Sequence, residues 1–338
     1  MRQTKNAHNS VLPPAIKILL ILLPPLVCIA ALCIGRISYS PHDVFSALFK
    51  TNVDTNISVV VRNIRLPRIL LAALVGAGLS VSGCTLQSLF ANPLATPDTI
   101  GIASGTSFGA ALGLLIGMRL VGIQLTAFAF GMLAVTLTWC GAAGKGKSAM
   151  QTVVLSGIMI GSLFNALISL VKFAADTESK LPAITYWLMG SLSGAGYKSL
   201  KFGAPSILLG IIVLYLLRWK LNLLPLSDDE AQSLGTNLRL LRGIAVLCST
   251  ACAASCVSMC GQVGWVGLII PHICRMAFGN DHRALIPASV SIGAAFLVVV
   301  DTLARTISPA ELPISILTAI IGAPFFIILM RKNGGWSI

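Results

Sequence analysis

The chain has little charge. Of its 338 residues only 10% are Asp, Glu, Lys or Arg, against about 25% in soluble domains, so it lacks the polar side chains to cover a soluble surface. Acidic residues are scarcest, 11 against 24 Lys and Arg, and there are 4 histidines and 7% aromatics. No aromatic cage, ring of charge or fixed ligand set appears, and no catalytic or metal-ligating group is assigned. Long polar linkers are missing too, which excludes an attached soluble domain and leaves residues 1–338 as one transmembrane domain.

Apolar length is abundant. Hydrophobic residues make up 56% of the chain and the mean hydropathy is +0.88. Runs of about 20 apolar residues recur, the length that crosses a ~30 Å hydrocarbon core. They fall at about 15–35, 67–88, 97–117, 120–142, 150–174, 203–219, 241–260, 262–275, 284–304 and 313–331. The eighth is short and interrupted. The expected fold is all-α, a polytopic bundle of about ten membrane helices. The first run follows Arg2, Lys5 and Lys17 but is too long for a signal-peptide core and has no small-x-small cleavage site. It reads as an uncleaved first span.

The net charge of +13 does not point to nucleic acid, because the basic residues stand between apolar runs. Membrane orientation, lipid headgroups and acidic partner surfaces account for it better. Cys248, Cys252, Cys256 and Cys260 recur every fourth residue and span about 18 Å of helix, too far to converge on one tetrahedral ion. They read as small residues on a packing face. Gly101, Gly105, Gly109 and Gly113 repeat at the same interval, a spacing that lets helix backbones approach closely.

"GAAGKGKS" (141–148) fits the phosphate-loop pattern without a mismatch. That loop requires a strand before it and a helix after it. Here a membrane span stands on each side, so the match reads as a tight basic turn.

Three segments are more specific: "RLPRILLAALVGAGLSVSGCTLQSLFANPLATPDTIGIASG" (65–105), "GWVGLIIPHICRMAFGNDHRALIPASVSIGA" (264–294) and "DTLARTISPAELPISILTAIIGAPFFIILM" (301–330). In this order they resemble the FecCD-type permeases, membrane subunits of binding-protein-dependent ABC importers for iron–siderophore complexes, haem, cobalamin and, in some members, molybdate. The resemblance implies a multi-pass protein of the cytoplasmic (inner) membrane and two permease copies with a path between them. It also implies two cytoplasmic ATPase subunits and a substrate-binding protein docked outside. ATP-Mg would bind the ATPase partner, and this chain would carry no cofactor. Iron–siderophore complexes are the leading substrate class.

The resemblance also assigns residues. Within 226–243, Glu230, Ala231 and Gly235 occupy positions of the cytoplasmic ATPase-coupling pattern, with Asp228 and Asp229 favouring the N-terminal dipole and Gly235 ending the helix. Arg65, Arg68 and Arg305 match positions that dock an acidic binding protein, with Arg62 a weaker addition. "PHICRMAFGNDHRALIP" (271–287) reads as a structured turn facing the ATPase. The fifth span, with Gly157, Ser162, Asn165 and Ser169, and residues 181–194 would line the route. The alternative is a secondary transporter driven by an ion gradient. Its only candidates for intramembrane acid chemistry are Asp301, four residues from Arg305 and able to pair with it, and Glu311.

Overall fold

The computed structural model describes residues 12–49, 55–142, 149–308 and 310–332. The phosphate-loop match falls almost wholly on 143–148, outside the described residues.

The described elements are helices: α1 (Pro14–Cys33), α2 (Pro41–Phe49), α3 (Thr55–Val59), α4 (Leu66–Leu89), α5 (Ile102–Leu115), α6 (Leu120–Gly141), α7 (Ala149–Ala174), α8 (Lys180–Leu188), α9 (Tyr197–Leu216), α10 (Asp228–Ser233), α11 (Leu238–Cys260), α12 (Val266–Phe278), α13 (His282–Ile307) and α14 (Ile314–Lys332). Among the described residues seven are long and apolar enough to span a membrane, the fourth helix continuing back to Thr55 through a π-helical turn at Val60–Arg65. Three shorter apolar helices, α5, α12 and α14, complete the ten expected crossings. α2, α3 and α8 were not anticipated, because short amphipathic turns in connections leave no long apolar run.

α4 is the axis of the bundle: nearly its whole length is buried, against α13, α11, α12 and α9. Small residues permit this. A Cβ on Gly83 would collide with the backbone of Gly267 in α12, and one on Gly76 with Gly293 in α13. In lipid, helices gain by such close packing. Gly105, Gly109 and Gly113 do the same for α5 against α6. Gly101 does not share their role: it caps the start of α5 at φ 77° and faces Gly157 and Gly161 of α7. The cysteine face of α11 packs likewise, Cys252 against Gly210 and Cys256 against Gly78, and no metal-holding cluster occurs among the described residues.

The fold separates two ends. The C-terminal ends of α1 and α13 meet the start of α4 at one. At the other, the end of α4, the start of α13 and the 220–243 segment come together. Between them the chain breaks inside the bundle. Residues 261–265 and 97–101 interrupt helices beside Leu79, halfway along α4. The breaks are tied down: Ser191 N–H donates to the Cys260 carbonyl at 2.7 Å, and Ile314 N–H to the Gly190 carbonyl at 2.9 Å. Irregular backbone at this depth is tolerated where protein covers it or where it lines a cavity.

Candidate functional site

At the first end, arginines saturate the helix termini. The last turn of a helix leaves carbonyls without partners, and Arg65 supplies donors to Leu32 (2.6 Å) and Ile37 while stacking on Tyr39 at 4.7 Å. Arg305 donates to the Ala31 carbonyl, 2.5 Å. Arg68 lies between two carboxylates, 2.8 Å from Asp301 and 3.0 Å from Glu311. Asp301 is also 3.9 Å from Arg305, so the i,i+4 pair exists but the contact from α4 is tighter. Glu311 reaches this position at φ 53°, a left-handed conformation uncommon for such a residue.

The three arginines that the resemblance assigns to docking are buried within the chain. Arg65, Arg68 and Arg305 are 5%, 8% and 7% exposed and present no cationic surface. Their position at span ends is as expected; what lies across from each arises from distant parts of the chain. Asp301 and Glu311 are likewise engaged, both with Arg68.

At the opposite end α10 is a six-residue helix with both termini closed. The Glu230 carboxylate accepts from Ser227 N–H (3.0 Å) and Oγ (2.9 Å), and Glu230 N–H donates back to Ser227 Oγ, 3.3 Å. This is a capping box. The Ser227 backbone bond, then its hydroxyl, hold the Glu230 carboxyl below its ordinary range. Gly235, at φ 70°, reverses the chain so that Thr236 N–H returns to the Ala231 carbonyl, 3.1 Å. Ala231 is fully buried, whereas Glu230 and Leu234 face outward. A short rigid element seated on Ala231 and exposing both a charge and an apolar side chain is suited to contact another protein. The side chains of Asp228 and Asp229 lie outside the described residues.

Beside it, Asn222 joins the start of α13. Its amide oxygen lies 2.8 Å from His282 Nδ1 and its nitrogen donates to Asp281 at 2.9 Å, while His282 Nε2 meets Ser88 Oγ at 2.6 Å. Burial works to raise the Asp281 carboxyl, but hydrogen bonds from Arg283 and Asn222 outweigh it and hold it low. His272 sits elsewhere, 5.7 Å from the Phe326 ring. The two histidines therefore do not converge, in keeping with a structural turn.

The sequence reading missed a third feature. A cavity of about 450 Å³ opens at the helix breaks, lined by Leu79, Asp98, Gln262, Trp265, Leu268 and Ser315 among others, and among the described residues no Lys, Arg or His lines it. The Asp98 side chain is exposed to the open space of this cavity. No described residue donates to it. A single acid in "ATPDTIG" gives no sign of depth, and only the re-entry of the chain after α4 puts it there. The expected route residues divide. A Cβ on Gly157 would strike the Thr99 carbonyl, whereas Ser162, Asn165 and Ser169 lie on the uncovered face of α7.

Comparison with known proteins gives a consistent picture. The model of the FecCD transport family matches residues 19–332. A molybdate import system permease protein of Haemophilus influenzae is 40% identical over 330 residues, 96% of this chain and 98% of that one. A protein of Helicobacter pylori described as a probable iron chelatin transport system permease is 40% identical over 281 residues, 83% and 85% of the two chains. A solved ABC transporter assigned to the metal-chelate type, in an inward-facing conformation, superposes with a TM-score of 0.87 at 40% identity, covering 95% of this chain and all of that one.

Proposed function

The chain belongs to the FecCD transport family, and from that premise we propose that it is the permease subunit of an ABC importer carrying a neutral or cationic iron chelate. Two copies would form the path in the inner membrane, with two ATPase subunits on the α10 side and a binding protein on the arginine side. ATP-Mg would act on the ATPase partner.

The observation that carries the substrate reading is the cavity at the helix breaks. Among the described residues its one charged lining residue is Asp98, and no cationic side chain faces it. A buried oxyanion needs donors or positive charge, and a carboxylate repels it. A bulky chelate of zero or positive charge meets an apolar wall with scattered polar groups, which permits passage without tight capture. The relatives include both a molybdate and an iron-chelate permease, so the discriminating measurement is direct. Proteoliposomes holding the assembled importer should take up a radiolabelled ferric hydroxamate with ATP, and should continue when ion gradients are collapsed. Molybdate uptake of equal efficiency would overturn the substrate; loss of transport with the gradient would overturn the mechanism.

With Arg65, Arg68 and Arg305 buried, docking of an acidic binding protein passes to exposed cations at that end. Arg36 is half-exposed, and Lys198 and Lys201 follow Tyr197, whose hydroxyl donates to the Arg62 carbonyl at 2.7 Å. Exposed pairs contribute only ~0.2–1 kcal/mol each, so their effect is on encounter and register. Reversing all three should slow association severalfold and leave ATPase attachment unchanged; unaltered association would remove them from the interface.

A further inference from the structure

On the α10 side of the bundle α1 packs on α13, but α9 does not close against them. They leave a groove of about 640 Å³ whose body is apolar, with Leu20, Pro24, Ile211, Pro287 and Val290 among its walls. Lys17, Arg218 and Arg283 stand at its rim with Tyr215. The groove follows α1 from Lys17 to Pro24, about 10 Å at 1.5 Å per residue. Its rim and its body therefore lie at different depths. Pro24 has no N–H for the Leu20 carbonyl, and Ser291 Oγ fills that vacancy from α13, which holds the two walls together.

We propose that this groove binds an anionic phospholipid of the leaflet on the α10 side, its phosphate between Lys17 and Arg218 and an acyl chain along α1 and α13. Lys17 is exposed. Arg218 stacks on Tyr215 at 4.1 Å and gives one N–H to the Tyr215 carbonyl at 2.7 Å, which orients its plane and leaves other donors of its five. Arg283 is paired with Asp281 at 2.8 Å, so the uncompensated charge belongs to the other two. Tyr215 and Trp219 are both exposed here, as aromatic side chains are at the headgroup level. Basic pockets between membrane helices on the cytoplasmic side suit anionic headgroups. The chain's own residues 1–11 do not complement the rim, since they contain Arg2 and Lys5 and no acid.

The test is native mass spectrometry on the full-length chain with its associated subunits, in nanodiscs of equal phosphatidylglycerol and acyl-matched phosphatidylcholine. The wild type should retain phosphatidylglycerol selectively. Lys17→Gln with Arg218→Gln should weaken that retention about thirtyfold, about fivefold per cation, with phosphatidylcholine unchanged. Ile21→Trp, which fills the groove without altering charge, should weaken it as well. All three positions are at least partly exposed, so the variants should elute and melt as the wild type does. Equal retention of both lipids, or full phosphatidylglycerol retention by the double variant, would overturn the site. Loss in the charge variant alone would also overturn it, as headgroup attraction without a groove.

Discussion

Both ends of this bundle carry charge, and they use it oppositely. At the arginine end Arg68 joins Asp301 and Glu311, while Arg65 and Arg305 cap the end of α1. The charges face inward and fasten helices far apart in sequence. At the α10 end Glu230 is exposed and bonded only within its own turn, so the element is shaped locally and its outer face stays available. Buried charge fixes geometry; exposed charge on a pre-formed turn leaves a surface to meet a partner.

The strongest way to break this contrast is Asp301→Ala, which leaves Arg68 and Arg305 buried beside a lost partner. The expected cost is about 3–5 kcal/mol, the range for removing one member of a buried pair, visible as a lower melting temperature and loss of monodispersity in detergent. Arg68→Met with Asp301→Leu should recover the part due to Arg68, with Arg305 still lacking its carboxylate. A single variant as stable as the wild type would mean that water reaches the cluster. Next, Gly83→Ala should cost about 1–3 kcal/mol by forcing α4 from α12, read in the same melt; no change would mean that the two helices separate freely.

The α10 end should respond in coupling more than in melting. Space around Gly235 is open, so bulk is harmless there and conformation is what matters. Gly235→Val should cost about 1–2 kcal/mol of local stability and lower uptake while ATP hydrolysis persists, whereas Gly235→Asn should be tolerated. Equal behaviour of Val and Asn would move the coupling function elsewhere. The smallest effect concerns pH. Because the Glu230 carboxyl is held below its ordinary range, its capping contribution is complete above the unfolded value and disappears as pH falls through the lower folded value. Amide exchange over 227–236 should therefore be unaffected by this group between pH 6 and 8 and accelerate only in acid. Glu230→Gln should abolish the acid step, and its persistence would assign the step to another group.

The long crossings were legible because each has its own signal: about twenty apolar residues in a row, closed by Lys, Arg, Gly or Pro. The α10 turn was legible in part for a similar reason. Its stop, Gly235, was read from the sequence; its cap, Ser227 with Glu230, was not, although the two stand only three residues apart. The glycines of α5 also showed their packing face, although Gly101 kept the spacing without the role. Burial of Arg65, Arg68 and Arg305 was not legible, because their partners lie up to 274 residues away and no local pattern names them. Asp98 was hidden for the same reason.

By itself the sequence determined that the chain crosses the membrane as helices and where its long apolar runs lie, because those depend on hydropathy summed over neighbouring residues. Tertiary structure alone decided which charges are consumed inside, which remain on the surface, and where the bundle leaves a cavity or a groove. Those outcomes depend on how residues far apart in the chain meet in a low-dielectric interior, where an unpaired charge is too costly to keep and a gap between helices persists only where the side chains around it cannot close it.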